Sequence, residues 1–319
     1  MRQLSVAFIL TLASTLACAQ AYPTKPIRLI VPYPPGAGTD IIARTVGQKL
    51  GEVLGQQVVV DNRGGGGGVI GSEIAAHSRP DGYTFVMGTA SNISVRPLVD
   101  KVPFDPLRDF TPIIQTTTVP LVLSVHPSLP VKTVKEFLAY AKSKPGELNY
   151  ASAGTGSVAH LAGVMLLNMT GIQSTHIPYK GGAANILAVA GGEAQWLAAP
   201  IGSTIGQIRA GRIRGLGVGG SERSSFMPEL PTINEAGVPG YQFYTWNGLM
   251  APAATPRAII DTLHAAIMKA VKMQDVREQY VAAGVEVRSS ASPEAFARFI
   301  VAEQQKMRNI GAAGGLKPE

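Results

Sequence analysis

Cysteine occurs once in 319 residues, at Cys18. A lone thiol builds neither a disulfide framework nor a thiolate metal site. Aromatic residues are sparse at 6%, which excludes a stacking platform for single-stranded nucleic acid. Charged residues make up 15%, below the usual quarter, so long surface side chains are few. Twenty-eight basic residues outweigh 21 acidic ones to give +7, yet they form no basic run. The electrostatic stripe of a nucleic-acid binder is therefore missing, and no nucleic acid is expected as a partner. A scattered positive balance serves solubility, and equally draws small anions. No G-x-S-x-G elbow, H-E-x-x-H pair or P-loop is present. After the opening segment, no apolar stretch is long and unbroken enough to span a bilayer.

That opening segment reads as an address. Met1-Arg2 is followed by the apolar run Val6 to Leu12 and by small residues. Ala17-Cys18-Ala19 and Ala19-Gln20-Ala21 both match the A-x-A pattern of signal-peptide cleavage. Residues 1–21 are expected to be a signal peptide cut after Ala21, which takes Cys18 with it. Lipidation of Cys18 is not expected, because Thr15 stands where such an anchor needs Leu. The product is expected to be exported and periplasmic.

The remaining chain alternates short apolar runs with segments of helical spacing. Ile27 to Val31, Gln57 to Asp61 and Tyr83 to Gly88 read as strands. So do Leu148 to Ala151, Thr175 to Pro178, Ala194 to Ala199 and Ile213 to Val218. Ile41, Ile42, Val46, Leu50 and Leu54 recur at helical spacing, and Val69 to His77 and Val158 to Met169 are further helices. Thr133 and Glu136 form a capping box, and Thr255-Pro256 and Ser292-Pro293 open two C-terminal helices as N-cap plus first-turn pairs. This rhythm predicts an α/β fold with mostly parallel sheets. The strand–loop–helix unit recurs after Ala151, and two extended stretches, Ile113 to Val125 and Tyr241 to Ala251, suit crossings between two lobes. The expected units are 22–120 with 246–319, and 121–245. A ligand cleft is expected between them, at the carboxyl ends of strands.

The loops at those ends are rich in glycine. Gly36, Ala37, Gly38, Thr39 and Asp40 join a strand to a helix, and Ala153, Gly154, Thr155, Gly156 and Ser157 repeat the layout. Glycines let amide N–H groups converge, and the helix N-terminus adds partial positive charge, so such a loop holds an anion without a basic side chain. One loop alone reads equally as a tight turn; two in separate lobes point to an anion clamp. Asp40 either caps its helix or accepts a bond from a ligand. Tyr179, Lys180 and Gly181 form a third candidate, in which Lys180 is a solvated charge or reaches a carboxylate. His160 lies one turn beyond Ser157 and either packs or faces the ligand. Tyr33, Ser91 and Pro200 complete the expected binding set. Tyr244 and Trp246 on the second crossing either line the cleft or pack in the core. Gly64 to Gly68 reads as a flexible surface loop. Its G-x-G-x-x-G match follows Asp61-Asn62-Arg63 instead of a strand, and no acidic residue ends the next strand.

Several segments, in order, resemble one family. They are Tyr22-Pro23-Thr24-Lys25-Pro26-Ile27, Pro34-Pro35-Gly36-Ala37-Gly38-Thr39-Asp40, Pro80-Asp81-Gly82-Tyr83-Thr84, Pro145-Gly146-Glu147-Leu148-Asn149-Tyr150, Pro178-Tyr179-Lys180-Gly181 and Leu230-Pro231-Thr232-Ile233-Asn234-Glu235-Ala236-Gly237. Together they resemble the tripartite tricarboxylate transporter receptors, the Bug family of periplasmic solute-binding proteins. The resemblance implies a two-lobed, type 2-like Venus-flytrap fold that closes on a carboxylate, held by the loops at Gly36 to Asp40 and Ala153 to Ser157. It also implies membrane subunits of a tripartite transporter as partners. The chain departs from the family where Ala37 replaces the second glycine of P-G-G, and at Ala184 and Ala188-Val189.

The expected function is an extracytoplasmic receptor for a dicarboxylate, tricarboxylate, amino acid or aromatic acid, working without catalysis, cofactor or metal. Two other readings stay open. One is a sensor that presents its ligand to a signalling partner; the other is an exported hydrolase using Ser157 and His160.

Overall fold

The computed structural model describes residues 22–36 and 38–315. The expected signal peptide and Ala37 lie outside them. The first half of the chain builds β1 (Ile27–Val31), α1 (Gly38–Leu54), β2 (Val58–Asn62), α2 (Val69–Ala76) and β3 (Thr84–Thr89). A wide helical turn, Ala90–Val95, then leads through α3 (Arg96–Val99) to the long β4 (Phe110–Val125). The second half holds α4 (Val134–Ser143), β5 (Leu148–Ser152), α5 (Val158–Thr170), β6 (Ser174–Pro178), α6 (Gly182–Ala190), β7 (Trp196–Pro200), α7 (Ile201–Arg209) and β8 (Arg214–Val218). The chain ends with β9 (Tyr244–Pro252), α8 (Arg257–Val271), α9 (Gln274–Ala282), β10 (Glu286–Val287) and α10 (Pro293–Ala313).

β4 belongs to two sheets. Its first part pairs with β9 from Phe110↔Pro252 to Pro120↔Tyr244, in a sheet ordered β2-β1-β3-β9-β4 with β10 on the far edge. Its last residues, Leu121 to Val125, pair with β7, and Val122 to Val125 also pair with β8; β5 and β6 lie beyond β7. The change of partner falls at Pro120. Proline has no N–H to give a ladder, so a strand can switch partners there at low cost. The pairs β1–β2, β1–β3, β5–β6 and β5–β7 are parallel, as the sequence rhythm suggests. At the crossing, however, β9 runs antiparallel to β3 and β4, and β7 and β8 antiparallel to β4. The sheets are mixed, because β9 re-enters the first sheet against β4 without a crossover helix.

Each sheet is covered by helices. One core joins Leu29, Val46, Phe85, Leu263, Ile267 and Tyr280; another joins Phe137, Tyr150, Leu161, Trp196 and Phe243. α10 serves both sides. Its Phe296 and Ile300 pack with Trp246, whereas Met307 and Ile310 enter the core around Tyr150. Trp246 is fully buried edge-on against Phe296, so it is a core residue and does not line the cleft.

Local signals differ in detail from the sequence reading. Ser292 caps α10 with Pro293 in the first turn, as expected. Pro256 occupies the N-cap of α8 itself, while the Thr255 hydroxyl donates to Pro252 O. Thr133 accepts the Glu136 N–H, and the Glu136 carboxylate reaches back to the Lys132 N–H, one residue before the cap. The glycine loop is not all surface. Gly65, Gly66, Gly67 and Gly68 all take positive φ, and Gly68 is buried where a Cβ would lie 2.8 Å from Asn92 Cβ and 3.3 Å from the Tyr33 hydroxyl.

Candidate functional site

The carboxyl ends of β1, β3 and β7 converge on a cavity of about 380 Å³. Tyr33, Gly38, Thr39, Thr89 and Ser91 line it from the first half, and Pro200, Gly202 and Ser203 from the second. Val119, Thr245 and Asn247 form its floor on the crossing strands, and Ala283, Gly284 and Val285 close one side. Among the described residues, no charged side chain lines it. Its polar groups are hydroxyls, one carboxamide and the N-termini of α1 and α7. α7 follows Pro200 with no side-chain cap, so its first-turn amides keep their donor capacity. The dipoles of both helices place partial positive charge on this space.

A hydrogen-bond chain fixes the wall at Tyr33. Its hydroxyl lies 2.8 Å from Thr89 Oγ1, which donates to Asn92 Oδ1 at 2.7 Å. Asn92 Nδ2 donates to Ser72 Oγ, and Ser72 to Gly68 O. Gly68 thus supports Tyr33 from behind, which is why a glycine is needed at that contact. Burial pushes the Tyr33 hydroxyl above its ordinary pKa, against hydrogen bonds with Thr89 and Ser91, so it stays protonated and able to donate.

Asp40 is buried and fully occupied by its own chain. Oδ2 accepts the Gly36 N–H at 2.8 Å and Arg44 Nε at 2.9 Å, and Oδ1 accepts Asn62 Nδ2 at 2.8 Å. Burial pushes its carboxyl up, but the bonds from Arg44, Gly36 and Asn62 outweigh burial and hold it below the usual range. The side chain ties the glycine turn to β2, and Gly36 at φ 80° makes that turn.

The second loop is built around histidine. Ser157 caps α5 by accepting the His160 N–H, and His160 Nδ1 accepts the Gly156 N–H at 3.1 Å. Ser152 Oγ accepts the Gly154 N–H and lies 2.7 Å from His176 Nε2. His160 stacks on His176 with centroids 4.0 Å apart, beside Tyr150. Burial, with His176 next to it, lowers the His160 pKa to about 4. The ring is therefore neutral near pH 7, with its proton on Nε2. Ala153 to Ser157 do not border the cavity; a Cβ on Gly156 would sit 3.0 Å from Val99. Tyr179, Lys180 and Gly181 also lie outside it. The Tyr179 hydroxyl donates to Glu193, and Gly181, at φ 101°, is the N-cap of α6.

Of the expected residues, the cavity brings together Tyr33, Gly38, Thr39, Ser91 and Pro200. Sequence reasoning missed Thr89, Gly202, Ser203, Thr245, Asn247 and Gly284. Gly202 had a usable signal, since it lies in the first turn of a helix that follows a strand, as Gly38 does. Gly284 had none, because only the fold sets it against Gly202, with 2.5 Å between an added Gly284 Cβ and the Gly202 Cα. Asn247 is held by a 2.9 Å bond from Nδ2 to Thr117 Oγ1.

Comparison with known proteins gives a consistent answer. Residues 42–316 match the model of the tripartite tricarboxylate transporter family receptor, TctC. Protein BugT of Bordetella pertussis is 35% identical over 304 residues, covering 94% of this chain and 92% of its own length. A solved structure of Rpa4515 from R. palustris with adipate is 34% identical with a TM-score of 0.81, covering 93% of this chain and 100% of that one. MatC from Rhodopseudomonas palustris, with bound malate, is 30% identical with a TM-score of 0.75, over 91% and 99%. Among the described residues, no helix is long and apolar enough to cross a membrane. This chain belongs to the TctC, or Bug, family of periplasmic solute receptors.

Proposed function

We propose that the protein binds a small carboxylate between its two halves and hands it to the membrane subunits of a tripartite tricarboxylate-type transporter. The observation that carries this reading is a cavity with no charged lining among the described residues, onto which the uncapped N-terminus of α7 and the first turn of α1 both open. Backbone amides and hydroxyls from two helices hold an anion without a partner cation. The adipate and malate bound by the two related structures are ligands of this kind. The units proposed are 22–120 with 246–319, and 121–245, with export directed by residues 1–21. In this reading the carboxylate sits between Gly38–Thr39 and Gly202–Ser203, with Ser91 as a hydroxyl donor and Tyr33, whose proton goes to Thr89, as a wall of the site. In this reading the loop at 153–157 serves a second polar group of the ligand.

The hydrolase alternative finds little support in the geometry. Ser157 is spent on its helix cap, and the acceptor nitrogen of His160 is taken by Gly156. A thermal-shift panel of mono-, di- and tricarboxylates, amino acids and aromatic acids tests the proposal, read beside the neutral amides of the same acids. At least one acid should raise the midpoint while its amide does not. A panel in which no acid stabilises the protein would overturn the receptor reading.

A further inference from the structure

One cation beside the candidate site has no assigned task. The wide turn Ala90–Val95 meets the cavity at Ser91 and ends at Arg96, whose N–H donates to Ser91 O. Arg96 itself stands outside the cavity lining. Its guanidinium lies against the glycine loop, where a Cβ on Gly67 would fall 2.8 Å from Arg96 Cζ. On the next residue, Gly68, a Cβ would fall 3.3 Å from the Tyr33 hydroxyl. Two successive glycines at positive φ thus seat Arg96 and Tyr33 next to each other. Residues three apart share a helix face, so Arg96 lies on the side of α3 that carries Val99. Val99 is the residue that meets Gly156 of the second loop.

The guanidinium is under-used. Among the described residues it bonds Asp100 alone, from Nη1 to Oδ2 at 2.7 Å, and its Nε is buried without a partner. Asp100 is 43% exposed, so water screens that pair and leaves much of the positive charge unbalanced. Arg44 in α1 is by contrast spent on Asp40 and Asn62. Burial raises the Tyr33 pKa, while bonds with Thr89 and Ser91 and the Arg96 charge lower it, so the guanidinium acts on a wall of the cavity. We propose that Arg96 sets the substrate class: it receives a second carboxylate of the bound ligand, so the receptor selects dianions over monoanions. A planar guanidinium takes a carboxylate through two parallel N–H bonds, which a lone ammonium or amide does not match. This assignment rests on the carboxylate-receptor reading and names the second polar group that the loop at 153–157 serves in it.

The test is calorimetric titration with succinate, malate, glutarate, adipate and terephthalate, each beside its monoamide, and with butyrate, hexanoate and benzoate. In the unaltered chain at least one diacid should bind about tenfold or more tighter than its monoamide and than every monocarboxylate. Arg96→Gln should cut that ratio to about threefold or less, whereas Arg96→Lys, which keeps the charge without the fork, should retain more of it. Gly67→Ala, which drives a Cβ into the guanidinium, should lower the ratio as well, and it carries the test if Arg96→Gln does not fold. A merely structural Arg96 would weaken diacid and monoamide alike and leave the ratio unchanged. That result, or monocarboxylates that bind as tightly as every diacid, would overturn the assignment while the receptor reading stands. Binding of none of these acids would instead be the failure of the receptor reading, and the assignment would fall with it.

Discussion

Asp40 and His160 illustrate how much of a binding loop is devoted to its own support. Asp40 uses both oxygens on Gly36, Arg44 and Asn62. Replacing it with Asn removes the charge and sets an amide N–H against one of three donors. Bonds to a charged group contribute about 1.5–3 kcal/mol each, so Asp40→Asn should destabilise the fold by a comparable amount in chemical denaturation and weaken ligand binding with it. Unchanged stability would mean that the turn is held by something else. His160 sets a pH dependence. Its folded pKa of about 4 lies below its ordinary 6.5, so the unfolded chain binds more protons between those values. Stability is then complete above pH 6.5 and is lost as the pH falls toward 4. His160→Asn keeps an acceptor for Gly156 but cannot titrate. Its thermal midpoint should fall less across that window than that of the unaltered chain, and equal falls would place the titration elsewhere.

Among the elements, many strands and helices were legible because their apolar spacing is local, whereas α6, α7 and α9 were not read. β1, β3, β5 and α5 lie within a residue or two of where periodicity places them. The stretch from Ile113 was readable as long and extended, and it is one strand shared by two sheets. Its partners were not readable, because pairing with both β9 and β7 depends on residues more than 70 positions away. The same limit applies to the site. Gly38 and Thr39 announce themselves as a glycine turn entering a helix, whereas Gly284 matters only through contact with Gly202. That contact leaves no space: a Cβ on Gly202 would lie 2.7 Å from Ala283 O. Gly202→Ala should therefore push α7 away from the 283–285 segment and weaken ligand binding more than it lowers the thermal midpoint. Calorimetry beside thermal unfolding checks this, and a variant that binds as tightly as the parent would show that the contact plays no part in the site.

At the scale of the whole molecule, the proposed function places one anion in a cavity that no charged side chain lines among the described residues. The net charge of +7 is spread over the surface, so it draws anions toward the protein without choosing among them. In the proposed reading, choice falls to the amides and hydroxyls that line the cavity from the first turns of α1 and α7. The direct test is a calorimetric titration of the acid that gives the largest thermal shift, followed by its derivative with one carboxylate replaced by a primary amide. The amide lacks the charge and turns N–H donors toward protein donors, and each buried donor left unpaired costs about 1–3 kcal/mol. The account predicts that at least one such replacement weakens binding tenfold or more, a loss of about 1.4 kcal/mol or greater. Amides that all bind as tightly as the acid would contradict it.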